Sequence, residues 1–79
     1  MQNNLGNPFI PYWHGQIEED TEEIKELNRE NKDFQKIREN SHDEEQKMMV
    51  REILFLNARC IQRLKERIED AKSTIKKLE

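Results

Sequence analysis

The sequence predicts an all-α fold, a helical hairpin in which a short first helix packs along a long second helix through a coiled-coil-like seam. The 79 residues are 39% charged and include only two Gly and two Pro, a composition typical of long helices. Apolar residues recur at helical spacing, and the capping box Ser41-x-x-Glu44 marks the start of a second helix. A single core in a domain of this size rarely supplies more than about 3–5 kcal/mol, so oligomerisation is an expected source of further stability.

Residues 1–15 are predicted to form an irregular apolar N-terminal segment. The segment contains no Asp, Glu, Lys or Arg, and Pro8 and Pro11, three residues apart, exclude an ordinary helix interior. Its five large apolar residues are Leu5, Phe9, Ile10, Tyr12 and Trp13. Two interpretations stay open: a frayed terminus, or a plug laid against the broad apolar face of the later helix.

Residues 16–40 are predicted to form an amphipathic acidic helix. Acidic residues crowd its first turns and Lys36 and Arg38 occupy its last turns, an arrangement that suits the helix dipole at both ends. The early acids also repel one another at four-residue spacing. The apolar residues fall on one narrow stripe, formed by Ile17, Ile24, Leu27, Phe34 and Ile37. We therefore expect this helix to depend on docking that stripe.

A chain break is expected between residues 39 and 44, and residues 41–79 are predicted to form the long second helix. Its seam follows heptads, with Leu54, Ile61, Ile68 and Ile75 at a and Val50, Asn57, Leu64, Ala71 and Leu78 at d. At 1.5 Å per residue this helix would be about 55 Å long, against about 35 Å for the first. The second helix should then overhang the first, and its last turns should need cover from another chain. Asn57 could fix the register of the seam, or it could face solvent or a partner's polar group.

The stretch from Met48 to Ile61 is the most apolar part of the chain and the predicted principal interface. Its apolar side chains spread over more of the helix circumference than the stripe of residues 16–40 can cover, and a helix of that kind is normally buried on more than one side. Together with the overhang, the predicted partner-interface residues are Met49, Ile53, Leu56, Cys60, Leu64, Ile68, Ile75 and Leu78.

Composition and spacing argue against catalysis, cofactors and metals. His14 and His42 have no cysteine at ligand spacing, and Cys60, the single cysteine, is interpreted as a small hydrophobe rather than a nucleophile. Two isolated glycines exclude a phosphate-binding loop. The longest wholly apolar run has four residues, too short to cross a membrane. We therefore expect no enzyme activity, no cofactor, no membrane contact and an intracellular location.

The charge distribution differs between the two predicted helices. Residues 17–47 carry twelve acids and six bases (−6), whereas residues 50–79 carry eight bases and five acids (+3). Helices of opposite sign that lie against each other explain this pattern, and a charge of +3 spread around one helix is a weak footprint for nucleic acid. Direct nucleic-acid contact is not expected. The expected partners are proteins, bound through helix packing, with a homo-oligomer as one form.

Several short pieces of the sequence form a second pattern. They are Leu5-Gly6-Asn7, Pro11-Tyr12-Trp13-His14, Glu23-Ile24-Lys25-Glu26-Leu27, and Asn57-Ala58-Arg59-Cys60 followed by Arg63-Leu64. In these pieces the chain resembles the Psf-one (partner of Sld five) subunit family of GINS, the four-subunit helical assembly of the eukaryotic replicative helicase. The family carries an Asn-x-Arg-Cys-like stretch in a buried helix. The family's opening helix has no counterpart between the first two pieces, and the small β domain that the resemblance would lead one to expect is not among the 79 residues.

The resemblance implies a reduced or partial GINS-like subunit that packs against sister subunits in the nucleus and has no catalytic residue of its own. The competing class is a self-associating coiled-coil or helical-hairpin adaptor unrelated to replication. The periodicity supports both classes equally, because either protein would show the same seam.

Overall fold

The computed structural model describes residues 7–79 and contains two antiparallel helices in that range. Helix α1 spans Phe9–Asn40 (32 residues) and helix α2 spans Glu44–Leu78 (35 residues). The described range contains no strand. The hairpin is a thin rod whose principal extents are 66, 15 and 11 Å. The predicted all-α helical hairpin is confirmed, as is the break between residues 39 and 44.

The N-terminus of α2 is capped by Asp43 rather than by Ser41, the residue predicted from the sequence. Asp43 is the N-cap of α2, and its carboxylate accepts a hydrogen bond of 3.0 Å from the backbone N–H of Glu45. Ser41 instead ends α1 in an extended conformation, where its hydroxyl contacts Gln46 Oε1 at 2.6 Å and accepts from the N–H of Asp43. The predicted Ser41/Glu44 capping box is therefore wrong. A carboxylate two residues before a free N–H caps it directly, so Asp43 takes the role.

The irregular segment predicted for residues 1–15 is wrong over its described part, because α1 begins at Phe9. Pro8 lies just before the first helical residue, and Pro11 lies in the first turn, where a helix leaves its backbone N–H groups without an intrahelical partner. Neither proline removes a hydrogen bond there. The Asn7 side chain accepts a 3.0 Å bond from the N–H of Phe9 and so caps one of these free donors.

The early start of α1 removes the predicted overhang. The rest of the N-terminal prediction falls on residues 1–6, which lie outside the described residues. The two helices have nearly equal length, and the first turns of α1 lie beside the last turns of α2, where Trp13 and Ala71 line one surface cleft. Ala71 and Ile75 are only 2% and 6% exposed. The expectation that the C-terminal stripe lacks cover within its own chain is therefore wrong.

The interhelical seam follows heptad spacing on both helices. On α2 the less exposed positions include every residue of the predicted heptads. On α1 the corresponding row is Ile10, Trp13, Ile17, Asp20, Ile24, Leu27, Asn31 and Phe34. Ile37, which was predicted to belong to the stripe, is 42% exposed and lies beside the seam. Successive steps of three and four residues keep each row on one side of its helix.

Two helices alone give a shallow core. Val50, Ala71 and Ile75 are the buried apolar residues of the described chain, and none of its large side chains is completely buried. Seven large apolar side chains of the described residues stay exposed: Phe9, Tyr12, Ile37, Met48, Met49, Phe55 and Leu56.

Candidate protein-binding face

The orientation of α2 is set by a polar layer in the middle of the seam. Asn57 Nδ2 donates a 2.9 Å hydrogen bond to Asn31 Oδ1 across the two helices. Counting outward from this pair in the antiparallel sense, the register places Ile24 opposite Leu64 and Ile17 opposite Ala71. A slip of either helix would bury both amides without partners, so the pair favours one register. Of the roles left open for Asn57, fixing the register of the seam agrees with the structure, in which Asn57 faces Asn31 rather than solvent.

A second polar layer lies nearer the chain ends and was not predicted. Asp20 occupies a seam position of α1 and is 5% exposed. Its carboxylate lies 3.4 Å from Arg67 Nε of α2 and 3.4 Å from Gln16 Nε2 one turn earlier. In the sequence Asp20 is one of many acids. Only its spacing, seven residues before Leu27 and four before Ile24, indicates that it lies on the inward stripe rather than with the exposed acids. Arg67 is largely exposed, so this ion pair acts more on orientation than on stability.

With the seam fixed, α2 turns a second apolar surface to solvent, which we call the open face. It consists of exposed side chains in the first half of α2: Met48, Met49, Phe55, Leu56 and Cys60. The first four are 55–64% exposed. Met48 and Phe55 form one pair and Met49 and Leu56 a second, each pair seven residues, or two turns, apart. Exposed apolar groups of this size are candidates for contact with another molecule. Helical spacing places them away from the seam residues Val50, Leu54 and Asn57.

The open face continues into a groove beside the seam. Phe34 and Ile37 of α1 form one wall, and Met49 and Ile53 of α2 form the other. Val50 closes the groove from below as part of the core. A groove between two helices with apolar walls is a shape into which a third amphipathic helix packs. The open face and the groove adjoin each other at Met49.

A line of charged residues runs along the middle of the open face. Glu45, Glu52, Arg59 and Glu66 follow one another at seven-residue steps, and Arg63 lies between the last two; all five are exposed. The Met48 and Phe55 side chains flank this line on one side, and Met49 and Leu56 flank it on the other. The Arg59 guanidinium carbon lies 5.9 Å from the centre of the Phe55 ring, which holds the cation against the apolar patch.

The structure divides the eight predicted interface residues into two groups. Met49, Ile53, Leu56 and Cys60 lie on the open face or in its groove. The other four, Leu64, Ile68, Ile75 and Leu78, lie in the seam against α1 of the same chain. Met48 and Phe55 were not among the predicted interface residues, yet they are as exposed as Met49. The sequence did contain evidence for Met48 and Phe55, because the apolar arc of the helix is wider than the single row formed by Met49, Ile53, Leu56 and Cys60.

The described residues also include acidic and aromatic surface groups. The outer side of α1 carries Glu18, Glu19, Glu22, Glu23 and Glu26 around Gly15. No group of three or more His, Cys, Asp or Glu side chains between residues 7 and 79 is arranged to hold a metal ion. Near the start of α1, Tyr12 and Trp13 stack edge to face with ring centres 5.0 Å apart, and Tyr12 is exposed.

Neither described helix is long and apolar enough to span a bilayer. Comparison with protein-family models, curated proteins and solved structures returns no match for the chain.

Proposed function

We propose that this protein is a non-catalytic helical subunit that assembles with a partner protein through the open face and its groove. The observation that carries the proposal is the exposure of four large apolar side chains, Met48, Met49, Phe55 and Leu56, on one side of a helix whose other side is already packed. Because each of these side chains is already partly covered, burying the rest of it against a partner contributes about 1–2 kcal/mol before the costs of association.

The hairpin suits this role because it presents the open face on a helix whose orientation is already set. The Asn31–Asn57 bond and the Asp20–Arg67 pair fix how α2 lies on α1. A partner helix then meets a surface that needs little further ordering, which lowers the entropic cost of binding. The mixed charges beside the patch influence which partner fits rather than how tightly it binds.

A charge placed on the open face tests the proposal. We expect Leu56→Asp and Ile53→Asp to abolish assembly, measured as mass in solution with and without candidate partners. Ala58→Asp is the matched control, since Ala58 is exposed on the same helix but outside the open face. Circular dichroism of each variant verifies that the helices persist. Unchanged assembly in both Leu56→Asp and Ile53→Asp would place the interface elsewhere and reject the proposal.

The narrower form of the proposal is a GINS-like subunit of the eukaryotic replicative helicase, acting in the nucleus. It is supported by the resemblance of Pro11–His14 and Asn57–Cys60 to that family, and by the outward position of Arg59 and Cys60 on α2. Coexpression with the three sister subunits of GINS tests it. A GINS-like chain should copurify with them in equal amounts, whereas a self-associating adaptor should leave them and form a defined homo-oligomer.

A further inference from the structure

We infer that the groove beside the seam binds an amphipathic helix of a partner protein whose apolar stripe is bordered by Lys or Arg residues. The inference rests on the proposed function and adds the chemistry of the partner. The apolar residues of the groove are Phe34, Ile37, Met49, Val50 and Ile53. The charge that borders these apolar groups is negative, and charge complementarity therefore selects a basic occupant.

The wall that α1 contributes carries a row of acids. Steps of four and three residues back from Ile37 follow one side of the helix, and they meet the exposed acids Asp33, Glu30, Glu26, Glu23 and Glu19. The bases of α1 occupy other rows of the helix: Lys25, Arg29, Lys32, Lys36 and Arg38. Arg29 lies 3.4 Å from Glu26, whereas no ion pair within residues 7–79 involves Glu30 or Asp33. These two carboxylates are therefore available to a ligand.

The wall that α2 contributes is apolar where it faces Glu30 and Asp33. It consists of side chains at steps of four, three and four residues: Met49, Ile53, Leu56 and Cys60. The register set by the amide layer places this stretch across from the two carboxylates. At the loop end of the groove two further acids, Asp43 and Glu45, join its lining, which includes no base. A helix in the groove thus meets apolar groups on one side and carboxylates on the other.

The nearest cations of α2 lie away from this part of the groove. Arg59 holds its guanidinium carbon 5.9 Å from the centre of the Phe55 ring, on the side of α2 that is turned away from the groove. Arg63 and Arg67 follow Cys60 along the α2 wall, but they lie nearer the chain ends, where Arg67 Nε is 3.4 Å from Asp20. The loop half of the groove therefore keeps its negative border.

These features favour a basic amphipathic helix over an acidic or neutral one. Its apolar stripe would cover Met49 and Ile53, and Lys or Arg on the edge next to α1 would pair with Glu30 and Asp33. The long stems of Lys and Arg can lie on apolar surface while their charges reach the carboxylates. An acidic helix would set like charges side by side, which excludes partners of the wrong sign. The flexible Met49 side chain can adapt to the stripe that enters.

Two synthetic helical peptides test the inference, measured by fluorescence anisotropy of the labelled peptide with the full chain. One has a leucine stripe bordered by Lys, and the other carries Glu at every Lys position. We expect the Lys peptide to bind at least about tenfold more tightly. Glu30→Lys/Asp33→Lys should weaken its binding about tenfold, because both carboxylates of the wall are reversed. Glu18→Lys/Glu39→Lys, an equal change of charge on another side of α1, should alter it by about twofold at most in 0.15 M salt.

The apolar part of the contact has its own pair of variants. Ile53→Asp places a charge in the groove and should abolish binding of the Lys peptide. Ala58→Asp adds the same charge to an exposed position of α2 outside the groove and should leave binding intact. Circular dichroism of every variant verifies that the helices persist, so a loss of binding is not a loss of fold.

The outcomes separate this inference from the proposed function. Equal affinity for the two peptides, or no binding of the Lys peptide at high micromolar concentration, overturns the basic helix. Equal weakening by the two double variants also overturns it, because it would show a general attraction of a cationic peptide to an acidic chain. So does self-association that Ile53→Asp abolishes, since a second copy would then fill the groove. In each case Leu56→Asp and Ile53→Asp, assayed with candidate partners, still decide the proposed function; assembly that survives both variants rejects the proposed function and the inference with it.

Discussion

The two halves of α2 use their apolar residues differently. In the second half, residues 61–78, the large apolar side chains lie in the seam, and Ala71 and Ile75 are buried. In the first half, residues 44–60, only Val50 is buried, while large apolar side chains outside the seam stay in water. Helix α1 runs beside both halves and covers one stripe of each. The difference therefore lies in the sequence of α2. One neighbouring helix covers the large apolar side chains of the second half, whereas the first half has enough apolar surface to pack against two helices.

The largest expected difference between the two halves is the loss of stability when one apolar residue in each is truncated to Ala. Ile75→Ala removes a buried side chain and should lower the free energy of unfolding by about 2–4 kcal/mol. Leu56→Ala removes a side chain that is mostly in water and should change the monomer by about 0.5 kcal/mol or less. Thermal unfolding followed by circular dichroism at low protein concentration measures both values. Equal losses would mean that Leu56 is packed in the monomer and that the open face is not open.

The amide layer between the two halves should produce the next largest effect. Asn57→Leu leaves Asn31 without its partner and should cost about 1 kcal/mol. Asn31→Leu together with Asn57→Leu should recover that loss and can exceed wild-type stability, because both amides are gone. The double variant should lose register specificity, seen as a second set of amide resonances by NMR. If the double variant is as destabilised as the single one, the loss of stability does not come from leaving Asn31 without its hydrogen-bond partner.

The smallest expected effect concerns the start of the first half of α2. Asp43→Ala removes the carboxylate that caps the N–H of Glu45. Because this cap is exposed, its loss should cost about 0.5 kcal/mol, the low end for such caps. Ser41→Ala should cost less, since Ser41 does not cap α2. Urea unfolding of the two variants side by side measures the difference. A larger loss in Ser41→Ala would restore the capping box that the sequence suggested.

The helix type, the break and the α2 seam could be predicted from the sequence because each depends on local spacing. The heptad positions of α2 follow from periodicity alone, and they proved to be the inward row. The cap could not be ranked in advance, because Ser41 and Asp43 are both good N-cap residues and only the backbone path selects one. The N-terminal segment was misjudged for a similar reason: prolines break a helix interior but are tolerated in its first turn.

The candidate site was predictable in part. The width of the apolar arc indicated that α2 has more apolar surface than one helix covers, and Met49, Ile53, Leu56 and Cys60 were identified from it. Ile75 and Leu78 were misassigned because α1 begins two turns earlier than predicted and covers them. Leu64 and Ile68 were misassigned although they lie opposite residues that already belonged to the predicted first helix. Which apolar residues of α2 are covered depends on where α1 begins. The residue pattern of α2 alone does not give the first residue of α1.

The hairpin topology also determines how this molecule would respond to mechanical force. The described ends, near Phe9 and Leu78, lie together at one end of a rod that is 66 Å long. Tension between them would peel the helices apart one seam layer at a time, beginning with the layer of the buried residues Ile75 and Ala71. Tension between the ends and the Ser41–Asp43 loop would instead stretch both helices along their axes. The same rod would thus be weak in one direction of pull and stiff in the other.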